Sequence, residues 1–198
     1  MDGAVIITDD RLVLGPRTDV ELLSLIGDGD HSAFAELFER HAQAVWNYAY
    51  RLTASWAEAE DVAGAVYLTL WRRRRDVRIV NDSARPWLLK VTNTLVRNER
   101  RRLARFLRAL PRLASPEVGR DHAEDLSDRT ASRTKLERVL QAVRRLPPAE
   151  REAVEYCALG QMRVPDAAAL LGITEAAVRS RLSRARARLH TLTDLDEE

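Results

Sequence analysis

Apolar residues recur along most of this chain at intervals of three and four, the spacing that lines one face of an α-helix. The alternating pattern of a strand is confined to one short stretch, Val5 to Val13, flanked by Asp and Gly. The pattern predicts an all-α protein. A turn at Gly27–Gly29 and an N-cap near Asp30 open a helix that buries Ala33, Phe34, Leu37 and Phe38. Asp28-Gly29-Asp30 loosely imitates a calcium loop, but its sixth position is Ala33, where such a loop needs Gly. Ser55 and Glu58 have capping-box spacing, so a further helix starts there.

Along that helix Ala59, Val62, Ala63, Val66 and Leu70 make one apolar stripe. Asp61, Gly64, Leu68 and Trp71 make a second face, at spacings of three, four and three. A helix apolar on two sides must bury both, either at the centre of its bundle or against a partner. Gly64 in mid-helix costs about 1 kcal/mol relative to Ala, which suits close approach of another backbone. The run Arg72, Arg73, Arg74, Arg75 leads into a polar loop, and Pro86 suits the first turn of the next helix. There Trp87, Leu88, Val91 and Leu95 form the buried stripe, while Lys90, Asn93, Arg97, Arg100 and Arg101 recur on another face. A basic face with an amide in its middle suits phosphates and a base edge. Taken alone, Asn93 reads as an ordinary polar surface residue.

The second half has sharper punctuation. Leu136, Leu140, Val143 and Leu146 make a helix that ends at Pro147-Pro148. Residues 149–159 make another, with Gly160 after it as a C-terminal cap. A short helix then runs from Val164 through Leu171, Gly172 makes a turn, and Thr174 caps a longer helix with Glu175 in its first turn. Val178, Leu182, Ala185 and Leu189 are the buried stripe of that helix. Arg179, Ser180, Arg181, Ser183, Arg184 and Arg186 provide its polar, mostly basic surface. A short helix, a Gly turn and a capped basic helix spell a helix-turn-helix. An ordinary helical hairpin has the same outline, and the arginine density favours DNA.

Charge changes the picture further. The net charge is only +2, but residues 1–70 carry 4 basic and 12 acidic side chains, and residues 71–112 carry 14 basic and 3 acidic. Residues 161–190 add a second basic block, 6 against 2. Two basic blocks on separate helices suggest two surfaces for a polyanion. Arg outnumbers Lys 30 to 2, and Arg suits phosphate and guanine, although GC-rich coding would also favour it. The single Cys157, on a helix with Ala153, Val154 and Ala158, reads as core and excludes a disulfide framework or a Cys-based zinc site. His31, His41, His122 and His190 are scattered without metal-ligand spacing, and there is no phosphate-cradling Gly-rich loop or nucleophile elbow. No metal, cofactor or catalytic residue is expected, and the chain is not expected to be an enzyme. Nor does any apolar run approach the ~20 residues of a membrane span. Residues 1–10 lack the basic stretch of a secretory signal, so a cytoplasmic protein is expected.

Together these residues resemble a bacterial sigma factor of the extracytoplasmic-function group, within the sigma-70 family. The resemblance rests on Gly29-Asp30 with Ala33-Phe34, on Ala59-Glu60-Asp61-Val62 followed by Tyr67, Leu68 and Trp71, and on Trp87-Leu88-Leu89 with Asn93 and Arg100-Arg101. It rests also on Leu146 through Arg151, Leu171-Gly172-Ile173, and the run Val178 through Arg186. It implies region 2 over residues 18–107 and region 4 over 134–190; composition adds a flexible linker over 108–133, an acidic tail over 191–198, and a mobile tail over 1–17 that ends at Gly15-Pro16 and lies outside the family pattern. Asp61, Gly64, Leu68 and Trp71 would dock on the clamp helices of the polymerase β′ subunit, with the β subunit also contacted. Arg72, Arg73, Arg74, Arg75, Lys90, Arg97, Arg100 and Arg101 would hold the phosphates of the −10 promoter element, and Asn93 would read a base there. Thr174, Arg179, Ser180, Arg181, Ser183, Arg184 and Arg186 would meet the −35 element in the major groove. Core RNA polymerase, promoter DNA and an anti-sigma factor are the implied partners, with no insertion into a membrane. The family usually has Gln at Gly64 and often an acid at Ala65, so this chain departs from it in the polymerase-contact helix. The other reading of the residues is a polymerase-independent regulator that uses the helix-turn-helix alone. It leaves the features of residues 59–105 without a purpose.

Overall fold

Local capping sets where the helices begin. Thr18 and Glu21 form a reciprocal capping box, with Thr18 N–H donating to the Glu21 carboxylate at 2.7 Å, and start α1 (Asp19–Gly27). Asp30 Oδ1 accepts from the N–H groups of Ser32 at 2.7 Å and Ala33 at 3.0 Å, and starts α2 (His31–Thr53). That helix stops where Ala54 turns left-handed at φ 59°. Ser55 Oγ caps α3 (Trp56–Arg72) through Glu58 N–H, and α4 (Arg85–Ala109) follows the arginine-rich loop. The computed structural model describes residues 17–109 and 127–195. All of the expected 1–17 tail except Arg17, with its strand-like Val5–Val13, most of the expected linker, and residues 196–198 lie outside the described residues.

The first four helices bury Leu22, Ile26, Leu37, Val45, Val66, Leu70 and Leu88 in one core. Asp19 ties that unit together from inside. Its carboxylate accepts from Ala84 N–H at 2.8 Å, Ser83 Oγ at 3.2 Å and Arg40 at 2.8 Å, and lies 2.8 Å from His41 Nε2. Burial pushes the Asp19 carboxyl up, but the Ala84 N–H, His41 and Arg40 outweigh it and hold the carboxyl below its ordinary range. One side chain thereby joins α1, α2 and the loop that leads into α4.

The second unit comprises α5 (Ser127–Arg145), α6 (Pro148–Val154), α7 (Val164–Leu171) and α8 (Glu175–Leu195). Val143, Leu146, Val154 and Ala185 form its core, with Leu182 and Leu189 packed against them. Gly172 closes α7 at φ 66°, and Thr174 Oγ1 accepts from Ala177 N–H at 3.1 Å. Where one α-helix is expected over 149–159, the structure has α6 and then a π-helical turn, Glu155–Leu159. Helix also replaces part of the expected 108–133 linker, because α4 runs to Ala109 and α5 begins at Ser127. Every Pro and Gly that argues for a linker stands at or before Gly119, so nothing from Ser127 onward opposes a helix.

The two units are packed against each other. Tyr48, Leu52, Leu89 and Val96 of the first share one apolar cluster with Tyr156, Met162, Ala167, Ala168 and Val178 of the second. Gly160 lies at this junction, against Leu89 and Tyr48. It has an ordinary φ of −85°, so it serves space and not backbone freedom. A Cβ there would meet Tyr156 O at 2.6 Å, and Leu89 Cδ1 and Tyr48 Cε2 at 3.2 Å each. Among the described residues no helix is long and apolar enough to cross a membrane, and no group of His, Cys, Asp and Glu could hold a metal ion.

Candidate nucleic-acid interface

The helix-turn-helix surface stands open. Thr174, Arg179, Ser180, Ser183, Arg184 and Arg186 are exposed, and Arg181 is half-buried. This follows from the periodicity of α8, which commits Val178, Leu182, Ala185 and Leu189 to the core and leaves the arginines outside. Acids and hydroxyls hold several of them in place. Arg179 pairs with Glu175, Arg184 donates to Ser180 Oγ at 2.8 Å, and Arg188 lies 3.0 Å from the buried Glu150. These contacts order the guanidiniums on an exposed face, where a phosphate or a base edge can replace the acid or the hydroxyl.

The basic face of α4 is divided. Arg72 at the end of α3, Arg73 and Arg75 in the loop that follows, and Lys90 and Arg101 on α4 are exposed. Arg74 is half-buried, lies 5.0 Å above the Trp71 ring and donates to Trp71 O at 3.0 Å. Asn93 is 2% exposed and belongs to the junction between the two units. Its amide donates to Glu155 Oε2 at 2.9 Å and to Tyr48 OH at 3.2 Å. Arg97 donates to the same Glu155 oxygen at 2.7 Å and has Glu152 at 3.6 Å. Burial works against the Arg97 charge, but Glu155 and then Glu152 outweigh it and raise its pKa. Arg100 donates to Leu52 O, and burial, followed by the like charge of Arg144, pushes it down to about 10. In this arrangement Asn93 faces protein, and Arg97 and Arg100 are half-buried. A base can reach Asn93 only after the second unit moves off α4.

More polar contacts cross the same junction. Arg51 donates to Leu159 O at 3.0 Å, Arg85 to Gly160 O at 3.1 Å, and Asn81 to Asp166 Oδ1 at 2.5 Å. Glu155, Tyr48, Gly160 and Asp166 are absent from the sequence-based list of site residues. The one signal they carried was Glu155 inside the apolar run Ala153-Val154-Glu155-Tyr156, a charge that a buried helix must pair.

On α3 the structure sets Asp61, Gly64 and Leu68 on the exposed side, away from the buried Ala59, Val66 and Leu70. Leu68 keeps 57% of its surface in water. Trp71, at the end of the same strip, is half-buried, stacked on His31 at 4.6 Å and edge-on to Phe34 at 5.4 Å. The backbone approach suggested by Gly64 does not occur among the described residues, for a Cβ there meets none of them within 4 Å. Gly64→Ala is therefore expected to stabilise the fold by about 1 kcal/mol, the helix-propensity difference alone. A thermal melt that showed Ala to be destabilising would mean that the position is crowded or strained after all.

Comparison with known proteins agrees with this geometry. Residues 37–106 match the family described as sigma-70 region 2, and residues 136–189 match sigma-70 region 4. The chain is 30% identical over 185 residues to the RNA polymerase sigma factor CnrH of Cupriavidus metallidurans, covering 89% of this chain and 95% of that one. It is 32% identical over 177 residues to the ECF RNA polymerase sigma factor SigM of Mycobacterium tuberculosis, covering 89% and 85%. Among solved structures it is similar to CnrH in complex with the cytosolic domain of CnrY, with a TM-score of 0.63, 26% identity, and 91% of this chain and 99% of that one covered. A sigma factor RpoE in complex with the anti-sigma factor NepR from Bartonella quintana has the same fold, with a TM-score of 0.53, 22% identity, and 82% and 98% covered.

Proposed function

Because the chain belongs to the sigma-70 family, as a sigma factor of the extracytoplasmic-function group, we propose that it docks on core RNA polymerase through the exposed strip of α3 and reads its promoter with two separate faces. It is a transcription initiation factor and not an enzyme. Its place of work is the cytoplasm, where polymerase and promoter are found. The observation that carries the residue-level reading is the pairing of two basic faces with one exposed acid-and-leucine strip, on two units with separate cores. Asp61 and Leu68 are the polymerase anchors, with Trp71 bracing the end of the strip. Arg72, Arg73 and Arg75 with Lys90 and Arg101 hold −10 phosphates from the start, and Arg179, Ser180, Ser183 and Arg184 face the −35 major groove. Asn93, Arg97 and Arg100 join them once the units separate.

The packed arrangement is a holding state, in which Glu155 and Glu152 occupy guanidinium positions that −10 phosphates would take. An anti-sigma partner fits this reading, since two solved relatives carry such a partner or the cytosolic domain of another protein. The test is co-purification with bacterial core polymerase, wild type beside Asp61→Ala. Wild type is expected to stay on the polymerase at moderate salt, and Asp61→Ala to bind at least tenfold more weakly. Equal retention of the two would remove Asp61 from the docking face. Tight duplex binding by a wild type that ignores polymerase would instead favour a regulator acting through the helix-turn-helix alone.

A further inference from the structure

A buried acid lies behind the outward face of α8. Glu150 of α6 is 5% exposed, and an acid is almost never buried so far without a partner. Two arginines one helical turn apart on α8 pair with it. Arg184 Nε lies 3.4 Å from Glu150 Oε1, and Arg188 Nε lies 3.0 Å from Oε2. No hydrogen bond reaches Oε2 among the described residues, so it relies on the charge of Arg188. More than half of each arginine side chain is nevertheless in water. Both guanidiniums are therefore anchored through Nε and open at their outer edge. Arg184 also donates through Nη1 to Ser180 Oγ at 2.8 Å, so it is held at two points.

These arginines cannot leave Glu150 cheaply. Stripping a buried charge of its partners is strongly destabilising, because the charge stays dry and uncompensated. The Glu175–Arg179 pair differs, since both side chains are exposed and such pairs contribute little. A phosphate can take Arg179 from Glu175, whereas Arg184 and Arg188 meet DNA with Nε still on Glu150. Arg184 then offers Nη2 and the second hydrogen of Nη1, donors that fit guanine O6 and N7. Arg188 stands one turn further from the N-terminal end of α8, the end that contacts base edges in a helix-turn-helix, and so meets the phosphates beside the groove. We propose that Glu150 is the positioning residue of the −35 face, fixing Arg184 to read a base edge and Arg188 to hold a phosphate. Both roles rest on the reading of α8 as the −35 helix in the preceding section.

The test uses the full chain on bacterial core polymerase, with duplexes randomised across the −35 region and the bound fraction sequenced. Wild type is compared with Glu150→Gln, which keeps the shape and removes the charge, and with Arg184→Ala and Arg188→Ala. Arg184→Ala is expected to erase the preference at one base pair. Glu150→Gln is expected to weaken the preference at that same base pair at least fivefold, while affinity for a non-promoter duplex stays equal or rises, because a negative charge has left the face. Arg188→Ala is expected to weaken all sequences alike and to lower the salt slope by about one. An intact preference in Glu150→Gln, with Arg184→Ala still erasing it, overturns the role of Glu150 and keeps the −35 reading. No effect of Arg184→Ala overturns both. Specific and non-specific binding that fall by the same factor in Glu150→Gln also overturn the role, since a merely structural acid would do that. An unchanged salt slope in Arg188→Ala overturns the phosphate contact. Nuclear magnetic resonance of the wild-type chain covers the case in which Glu150→Gln does not fold. The Nε–H signals of Arg184 and Arg188, assigned through Arg184→Lys and Arg188→Lys, are expected to keep their shifts and slow exchange when the best selected duplex is added. Shifts that move, or exchange at least tenfold faster, mean that the arginines leave Glu150 and overturn the proposal.

Discussion

Glu155→Ala is expected to part the two units of this protein without unfolding either. Glu155 is 4% exposed and accepts from both Asn93 and Arg97, at 2.9 and 2.7 Å. Without it, the Asn93 amide keeps only Tyr48 OH, and Arg97 keeps only the longer pairing to Glu152. Removing one partner from a buried charged network costs about 3–5 kcal/mol, because the remaining groups stay dry and unpaired. Here the chain has a way out, since separation lets water reach Asn93 and Arg97. Each unit has its own core, one around Leu37 and Leu70 and the other around Val143 and Ala185. The expected result is a larger radius of gyration in X-ray scattering, with hydrogen exchange around residues 89–97 at least tenfold faster and most helix retained. Glu155→Gln keeps an acceptor and should fall between wild type and Ala. Unchanged scattering and exchange in Glu155→Ala would mean that the apolar cluster around Leu89 and Tyr156 holds the units by itself.

Opening of this kind bears directly on promoter recognition. On the proposed reading, the variant exposes the middle of the −10 face, whereas the outward residues Arg179, Ser180, Ser183 and Arg184 of α8 are exposed in the packed arrangement already. Any gain in DNA engagement should therefore be confined to the −10 element.

Asp19→Ala is expected to damage the first unit itself. The carboxylate is 6% exposed and serves four partners from α2 and the loop before α4. Losing it strands the buried Ala84 N–H, leaves His41 without its acid and leaves Arg40 with Glu36 alone, at a cost of about 3–5 kcal/mol. For a chain of this size that lowers the melting temperature by roughly 10 °C. The pH dependence has a definite sign. The Asp19 pKa lies below its ordinary value of 3.8 in the fold. Its stabilisation is complete above that ordinary value and disappears as pH falls through the lower, folded one. The stability gap between wild type and Asp19→Asn should thus be constant near neutrality and close below about pH 4. A gap that persisted undiminished to pH 2 would show that shape and not charge is what Asp19 supplies.

Much of this protein was legible in its sequence because the information is local. Caps at Thr18, Asp30, Ser55 and Thr174, the left-handed Gly172 and the stripes of α3 and α8 involve groups within a turn of one another. Apolar periodicity therefore predicts both the helices and the exposed side of α8 where its arginines stand. The resemblance, carried by motifs in order along the chain, supplied the two regions and their family. The fate of α4 was a different matter. Periodicity identifies Asn93 and Arg97 as lying on its polar side, but not which neighbour covers that side. That was decided by Glu155, 62 residues further on, held at the junction by the π-helical turn and by a Gly160 small enough to let Tyr48 and Leu89 close in. A hydrogen bond between distant residues leaves no period in a sequence. It follows from the way two cores meet, and only the tertiary structure could place a buried acid against the surface that reads as open to DNA.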